Sequence, residues 1–400
     1  MKLKKLACMA LGSAAAVSTL PALADVQVSG FLTAGASYTD NEIPFYPAGI
    51  TDEQPNYLQD TVLGIQLDSE LDDLTRFSAQ LIAKSDTDNF NTNAEWLYVS
   101  RNIGSFTTAR IGRLRLPLYM NSQSLYVGAS YPWIRPPQEV YGMLVGLSGY
   151  NGMDVTFNKD TDLGNFELQL FTGKLDSDIP LDFGGSADAS TDQMIGTVLR
   201  FSSENLDLHL SYSRMDAKMF IDVPGVAAGA PAGPFTPGFS PLTAQSLTLP
   251  TDVEVVDFGV KYSLGKLDLR AEAAERGSDD IGDLTAWYGS IAYTMGSWVP
   301  YLVLAQSDSK AVPATSLWYN LAFMNGGAPG VQSLLHDADT ITLGLRKNLS
   351  PTVSFNAELL NSEAKHGTTG QFKTYVPNAA GDELADTDVN MISIAVNVLY

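Results

Sequence analysis

Apolar and polar residues alternate with a period of two along most of this chain. The final segment places apolar residues at every second position: Ile392, Ile394, Val396, Val398 and Tyr400. Alternation of this kind puts successive side chains on opposite faces of a β-strand. Residues 266–276 alternate in the same way, and although helix formers follow residue 271, helical spacing fits residues 267 and 269 badly. The pattern therefore predicts an all-β protein.

The same alternation predicts sixteen strands over the whole chain. They span residues 26–38, 59–69, 74–85, 93–101, 105–115, 148–158, 163–174, 192–202, 205–216, 253–263, 266–276, 285–295, 297–308, 338–347, 351–363 and 388–400. The connections between them alternate in length, beginning with a long one. The long connections are residues 39–58, 86–92, 116–147, 175–191, 217–252, 277–284, 309–337 and 364–387, whereas each of the others has four residues or fewer.

This alternation of long and short connections gives the two ends of the sheet different environments. Successive connections between antiparallel strands lie at opposite ends, so all tight turns fall at one end, together with both termini. Transmembrane barrels of the outer membrane have this asymmetry, with short periplasmic turns and long external loops. A closed barrel also pairs every backbone polar group without leaving an edge in lipid. We therefore predict a transmembrane antiparallel β-barrel of about 16 strands.

Side chains on the predicted strands divide into an apolar and a polar face. Aromatic residues near the strand ends fit two interfacial girdles: Tyr38, Trp96, Tyr212 and Trp287 at the long-loop end, and Phe201, Tyr262, Trp298 and Tyr400 at the short-turn end. The opposite face carries candidates for lining a pore: Arg76, Arg200, Arg270 and Arg346. An arginine facing lipid at the midplane would cost about 2–4 kcal/mol. Because a barrel of this size leaves an aqueous channel, we expect passive diffusion of small hydrophilic solutes.

The composition agrees with a protein that covers much of its surface with lipid. Charged residues make up 17% of the chain, against about 25% in typical soluble domains, and the mean hydropathy is close to zero. The formal net charge of −21 argues against a nucleic-acid partner, which would require clustered lysine and arginine. No run of about eighteen apolar residues follows Asp25, so membrane-spanning helices are not expected.

The N-terminus has the features of a cleaved export signal. A basic start, Met1–Lys5, precedes an apolar stretch, and Ala22-Leu23-Ala24 provides a cleavage site. We predict that residues 1–24 are a signal peptide and that residues 25–400 form the mature barrel. Cleavage would remove three lysines, which changes the net charge to −24, and would also remove the single cysteine. The mature protein would then have neither a disulfide nor a thiol nucleophile.

The leader, the rhythm of strands and loops, the terminal aromatic residue and the long third connection resemble the Gram-negative general porin superfamily. The resemblance covers the whole mature chain, although these porins commonly end in Phe rather than Tyr400. It implies a homotrimer of sixteen-stranded channels in the outer membrane, in contact with its lipid. It also implies that Tyr400, with the alternating apolar residues before it, is read by the barrel assembly machinery.

In such porins the third long connection folds into the lumen and sets the constriction, with an acid-rich tip. Here the connection is Leu116–Leu147, whose four prolines stiffen it and whose tip lacks the acids. The loop and the strand before it carry four arginines and one acid as constriction candidates: Arg110, Arg113, Arg115, Arg135 and Glu139. This local excess of positive charge favours a weak preference for anions. Alternatively, several of these arginines pair with acids elsewhere on the wall or lie in a trimer contact.

No catalytic or cofactor-binding motif accompanies the barrel pattern. The three histidines lie far apart in sequence, and neither a nucleophile motif nor a phosphate-binding loop is present. We therefore expect neither an enzyme nor a cofactor. Acidic loop residues such as Asp279, Asp280 and Asp283 form either a divalent-cation site or a solvated acidic loop. An alternative function for the barrel is a surface binding or structural protein with a plugged lumen.

Overall fold

The structure, a computed structural model, describes residues 26–46, 49–85, 90–143, 148–180, 186–223, 245–310, 312, 314–316, 319, 335–365, 368–372 and 388–400. The predicted signal peptide lies outside these residues. Strands make up most of the described chain. No helix in these ranges is long and apolar enough to cross a membrane.

Eighteen strands occur in the described residues, and sixteen of them form the wall of a barrel. The wall strands are β1 (Val26–Thr39), β2 (Val62–Asp72), β3 (Thr75–Ser85), β4 (Phe90–Ile103), β5 (Thr107–Arg115), β6 (Gly149–Thr161), β7 (Gly164–Lys174), β9 (Ser186–Ser202), β10 (Leu206–Val223), β12 (Val253–Leu264), β13 (Leu267–Gly277), β14 (Leu284–Tyr293), β15 (Trp298–Ser309), β16 (Ala338–Ser350), β17 (Val353–Ala364) and β18 (Asp388–Leu399). Two short strands, β8 (Asp176–Pro180) and β11 (Gln245–Pro250), pair with β9 and β10.

Hydrogen bonding closes the wall into a continuous antiparallel barrel. Each wall strand pairs with the wall strands before and after it, and β18 returns to β1. The closing pair aligns Phe31 with Leu399, and Tyr400 N–H donates to Gly30 O at 3.0 Å. Every predicted strand is present. The predicted fold class, an all-β transmembrane antiparallel barrel of about 16 strands, is therefore confirmed.

Strands β9 and β10 extend farther than the sequence pattern predicts. β9 begins at Ser186 rather than residue 192, and β10 ends at Val223 rather than residue 216. The extra residues pair with each other and with β8 and β11, so they form a ribbon that continues past the wall at the long-loop end. Residues 186–191 contain only Ser, Ala, Asp and Thr, and this composition has no apolar alternation to mark a strand.

The two ends of the barrel differ as the pattern of connections predicts. Connections at one end contain two to four residues, from residues 73–74 after β2 to residues 351–352 after β16. Three of these turns contain a glycine with positive φ, namely Gly104, Gly265 and Gly296 at 68°, 61° and 64°. Glycine adopts this left-handed conformation without the clash that a Cβ atom introduces, so the turns stay tight. The long loops lie at the opposite end.

The outer face of the wall is apolar. In β18 exposed and buried positions alternate, and Ile392 and Ile394 point outward with 56% and 45% of their surface exposed. Aromatic residues are exposed near both ends of the wall: Tyr38, Tyr212 and Trp287 at the long-loop end, and Tyr262, Trp298 and Tyr400 at the short-turn end. An apolar band between two aromatic girdles is the surface that a bilayer covers.

Trp96 departs from the predicted girdle because a bulge changes the direction in which it points. The pairing of β3 with β4 aligns Gln80 with Trp96 and Leu81 with Ala94, which leaves Glu95 as the extra residue. A bulge of one residue reverses the alternation of side chains beyond it. Trp96 therefore faces the interior, and its indole N–H is enclosed without a hydrogen-bond partner in the described residues.

Candidate pore constriction

The third loop, residues 116–147, leaves the wall early and enters the barrel. β5 has nine residues, against fourteen in the neighbouring β4, and it ends at Arg115. Leu116 N–H donates to Ser148 O at 2.9 Å, just past the end of β5. The loop therefore starts partway along the wall and has the inner surface within reach. Residues 116–143 of the loop are described.

Apolar side chains of the third loop form a core with the inner wall. The loop contributes Leu116, Leu118, Tyr119, Tyr131, Trp133, Val140 and Met143 to one buried cluster. Strands β6 to β15 contribute inward-facing residues: Tyr150, Phe171, Met194, Val198, Met215, Val253, Val255, Ala274, Leu284, Ala286, Tyr288, Ala292, Tyr301, Val303 and Ala305. The Trp133 ring stacks on Tyr131 at 5.5 Å and meets the edge of Tyr288 at 5.4 Å, measured between ring centroids.

This core limits the polar lining that the sequence pattern predicts. Where the third loop covers the wall, water is excluded and apolar side chains are stabilised by burial. Inward positions such as Met194 and Val255 have no exposed surface at all. The interior is therefore polar only where the loop leaves the wall open to water or forms hydrogen bonds with it.

Two carboxylates of the wall accept hydrogen bonds from the backbone of the third loop. Glu272 accepts from Met120 N–H at 2.6 Å and from the Tyr141 hydroxyl at 2.6 Å. Glu358 accepts from Ile134 N–H at 2.8 Å. Both glutamates are buried, and these bonds replace the water that a carboxylate needs. The wall thus holds the loop near Met120 in its first half and near Ile134 in its second half.

Arg135 and Asp60 form a third attachment, which we call the loop latch. Arg135 Nε and Nη2 donate to the Asp60 carboxylate at 2.7 and 2.5 Å. Nη2 also lies 3.0 Å from Ser37 Oγ and 2.8 Å from Ser393 Oγ. The two charged side chains are 11% and 2% exposed, so solvent screens their attraction little.

The acid that the sequence places at the constriction forms an ion pair with none of the candidate arginines. Glu139 lies in a single helical turn, α1 (Gln138–Tyr141), and is 3% exposed. Its Oε1 atom has no hydrogen-bond partner among the described residues. Burial raises the pKa of the Glu139 carboxyl above its usual value of 4.5, because the charged form loses its hydration.

Acids on neighbouring strands neutralise two arginines at the base of the loop. Arg110 forms a bidentate pair with Asp154, with Nε–Oδ1 and Nη2–Oδ2 distances of 2.8 and 2.7 Å. Arg115 Nη1 lies 2.6 Å from Glu95 Oε1 in a fully buried pair. Arg135 is paired in the latch as well. Acids therefore neutralise three of the four arginines that made the constriction look basic in the sequence.

The Arg110 pair belongs to a ladder of polar groups that crosses the inner wall from β5 to β9. Gln169 Nε2 donates to Asp154 at 2.9 Å, Arg200 Nη1 lies 3.2 Å from Gln169 Oε1, and Arg200 forms an ion pair with Glu167. The side chains of Arg110, Arg200 and Glu167 are 21–25% exposed. The ladder therefore faces water, and its equal numbers of arginines and acids make it neutral.

Arg113 and Arg76 lie apart from this ladder. Arg113 Nε donates to Ala94 O at 2.6 Å, so its guanidinium group contacts the backbone beside the bulge of β4. Arg76 lies beside a short turn, where it pairs with Glu70 at 2.8 Å in an exposed position. The structure thus places Arg76 at the short-turn rim and away from the third loop.

Arg270 and Arg346 meet the third loop from the short-turn side. Arg270 pairs with Asp268 at 2.7 Å, and its guanidinium carbon lies 5.5 Å from the centre of the Trp133 ring. Arg346 Nη1 lies 2.7 Å from Tyr131 O and within 3.4 Å of two further loop carbonyls. Both arginines therefore contact the third loop from the short-turn end of the barrel.

The sequence analysis missed the acids that pair with the arginines. Arg110 and Asp154 are direct partners in the register of β5 and β6, as are Arg200 and Glu167 in that of β9 and β7. Pairing the predicted strands as hairpins would have brought these residues together. No local signal connects Arg135 to Asp60, which lies 75 residues away and meets it only because the barrel closes.

The acidic residues near position 280 do not converge on a shared centre. Asp283 pairs with Lys310 at 2.9 Å, and this hydrogen bond lowers the pKa of Asp283. Asp280 accepts from Asp252 N–H at 3.2 Å. Across the described ranges no three His, Cys, Asp or Glu side chains are grouped as metal ligands.

Comparison with known proteins gives one family and several similar folds. A family model described as Gram-negative porin matches residues 7–367. No curated protein sequence matches the chain significantly. An anion-selective porin from Comamonas acidovorans is 17% identical, with a TM-score of 0.58 and coverage of 94% of this chain and 100% of that chain.

Two further solved structures share the architecture. The outer membrane channel DcaP of Acinetobacter baumannii is 11% identical, with a TM-score of 0.57 and coverage of 95% of this chain and 99% of that chain. The trimer form of OmpT, an outer membrane protein of Vibrio cholerae, is 12% identical, with a TM-score of 0.55 and coverage of 94% and 100%. At these identities the similarity establishes the fold that the chains share.

Proposed function

Because this chain belongs to the Gram-negative porin family, we propose that it lets small hydrophilic solutes and ions diffuse passively through its barrel across the outer membrane. The observation that supports this function is the polar ladder from Arg110 to Arg200, which lies on the inner wall and is partly exposed to water. Charged groups of this kind are stable inside a barrel only where they are hydrated or paired.

The proposal includes a weak preference for anions. Pairing cancels the charge of Arg110, Arg115 and Arg135, so the preference rests on arginines that contact carbonyl oxygens instead of carboxylates. Arg113 and Arg346 have this environment. One protein with a similar fold is described as an anion-selective porin, which agrees with the same direction. Charge near the narrowest point acts on passing ions more than distant, screened charge.

Planar-bilayer recording tests both parts of this function. Purified protein should produce ohmic current steps, and a salt gradient should give a reversal potential on the anion-selective side. A barrel that inserts and stays silent contradicts the channel function. Conduction with a clear preference for cations contradicts only the charge selectivity.

The assembled state is proposed on similar grounds. We infer a homotrimer in outer-membrane lipid, formed after cleavage between Ala24 and Asp25 and after recognition of Tyr400 by the barrel assembly machinery. The trimer form of OmpT from Vibrio cholerae supports the first point. Tyr400 is 58% exposed at the end of the closing strand pair, where another protein has access to it. Cross-linking of the native protein and sequencing of its N-terminus test the trimer and the cleavage.

A second function follows if the loop core fills the lumen completely. The apolar cluster and the attachments at Glu272, Glu358 and Arg135 occupy a large part of the interior. A plugged barrel would act as a surface binding or structural protein. Silent insertion into bilayers, combined with a correctly closed barrel, would support this alternative over the channel.

A further inference from the structure

A cleft of about 390 Å³ lies inside the barrel, between the third loop and the short turn after β16. Its lining comes from the end of β16, the turn, the start of β17, the last strand and one loop residue; Arg346 is the ionisable side chain of this lining, and Asn348, Ser354 and Asn397 are among its polar ones. The lining therefore contains one positive charge and no carboxylate. We propose that this cleft binds small oxyanions, such as carboxylates or phosphate, at the short-turn end of the pore.

Arg346 supplies the charge and at least one unused donor. Its Nε atom donates to Asn348 Oδ1 at 2.9 Å, and its Nη1 atom is occupied by carbonyl oxygens of the third loop. Nη2 forms no hydrogen bond within the part of the chain that the structure describes. No Asp or Glu of that part pairs with Arg346, so its charge is not neutralised as those of Arg110 and Arg135 are. A guanidinium group binds carboxylate and phosphate oxygens through such N–H donors.

Two neutral side chains add donors to the same cleft. Asn348 uses its carbonyl oxygen to accept from Arg346, which leaves its NH₂ group without an acceptor among the described residues. The Ser354 hydroxyl oxygen accepts from Asn397 Nδ2 at 3.4 Å, so its own proton remains available. A group of donors beside one cation, with no competing carboxylate, favours an anion over a cation or a neutral apolar ligand.

This inference rests on the proposed function and deepens it, because it names a class of solute that binds at the short-turn end of the pore during passage. The cleft opens at the short-turn end, so a bound oxyanion would block the current briefly when it is added from that side. Binding itself does not require conduction. The two proposals can therefore fail separately.

The test combines calorimetry with bilayer recording on the full mature protein. We expect saturable binding of succinate and inorganic phosphate to the detergent-solubilised protein, and none of the uncharged analogue succinamide. Arg346→Gln should weaken oxyanion binding about tenfold, since it removes the charge and a donor. Asn348→Asp should weaken it similarly while keeping the contacts of Arg346 with the loop, which guards against a folding defect in the first variant.

Arg101→Gln is the matched control. Arg101 lies at the same end of the barrel, is exposed, and pairs with Asp72 at 3.6 Å. Its loss should leave oxyanion binding unchanged. Equal weakening by R101Q and R346Q, or equal binding of succinamide and succinate, would overturn the cleft proposal. A protein that conducts ions but binds neither oxyanion overturns the cleft alone, whereas binding without conduction supports the cleft and overturns the channel.

Discussion

At the scale of single residues, buried ionic contacts decide how firmly the third loop is held. Breaking a buried pair leaves a charge where water cannot reach it, whereas breaking an exposed pair leaves both groups hydrated. The latch between Arg135 and Asp60 is a buried pair. Arg214 and Asp216, at the long-loop end of β10, are 54% and 43% exposed and represent the other case.

Arg135→Ala should therefore loosen the third loop. The buried Asp60 carboxylate loses its partner, which costs about 3–5 kcal/mol. We expect larger and noisier single-channel currents in planar bilayers. Arg214→Ala removes an arginine from an exposed pair that contributes about 0–1 kcal/mol, and its currents should match those of the unmodified protein. Indistinguishable currents from R135A and the unmodified protein would argue against the latch.

Glu139 gives the third loop a pH dependence of its own. Because its pKa is raised in the folded protein, its contribution to stability is fully present below the usual glutamate pKa of 4.5 and is lost as pH rises through the raised value. Glu139→Gln resembles the protonated form and should flatten this part of the profile. The measurement is the unfolding midpoint of detergent-solubilised protein at a series of pH values. Parallel profiles for E139Q and the unmodified protein would contradict the assignment.

At the scale of elements, the short strand β5 and the third loop act together. β5 stops after nine residues, which frees the loop to enter the barrel, and the loop then buries apolar side chains against strands β6 to β15. Polar anchors at Glu272 and Glu358 fix its path, while the apolar core buries seven of its described side chains. The loop is therefore held against the wall mainly by apolar packing, as in the core of a folded domain, and a few buried hydrogen bonds reinforce this packing.

Trp133→Ala should destabilise the packing of the third loop against the wall more than the removal of a single hydrogen bond does. Trp133 is 1% exposed, and its removal leaves a cavity that costs about 3–5 kcal/mol. Its indole N–H also donates to Ser290 Oγ at 2.9 Å. Ser290→Ala removes that bond while keeping the ring, and leaves the buried indole N–H without an acceptor at a cost of about 1–3 kcal/mol. We expect increased conductance for W133A and a smaller change for S290A; the reverse order would exclude packing as the main cause.

At the scale of the whole molecule, the barrel wall separates the lipid outside from the water inside. Leu343 on β16 points outward with 55% of its surface exposed, whereas Gln66 on β2 points inward and bonds Asp68 at 2.7 Å. Once the barrel lies in a bilayer, charge is costly on the outward side, whereas on the inner face it is tolerated where it is hydrated or paired. The same substitution at these two positions therefore reports which face meets lipid.

Leu343→Arg should destabilise the inserted barrel by about 2–4 kcal/mol, because an arginine on the lipid face must be dehydrated. Gln66→Arg introduces the same group beside a carboxylate on the inner face and should have little effect. Folding free energies in lipid vesicles, measured by urea titration, make the comparison. An equal loss in the two variants would mean that the outward face is not in contact with lipid.

Local patterns along the chain are enough to predict the barrel. Period-two alternation and the rhythm of long and short connections each depend on neighbouring residues, so the sixteen wall strands and the two ends of the wall could be predicted from the chain. The third loop was expected to enter the lumen because of the resemblance to porins and not because of its length, since it has 32 residues whereas the connection 217–252 has 36.

The charge and shape of the interior depend on contacts that form only when the chain has folded. Counting residues along Leu116–Leu147 and the preceding strand predicted a basic constriction, but the pairing of β4 with β5 places Glu95 beside Arg115, and closure of the barrel places Asp60 beside Arg135. It also places the loop over inward-facing apolar residues that alternation would assign to water. Arg135 and Asp60 lie on segments that no local pattern pairs, so their contact and the burial of wall residues under the loop depend on distances that only the folded chain defines.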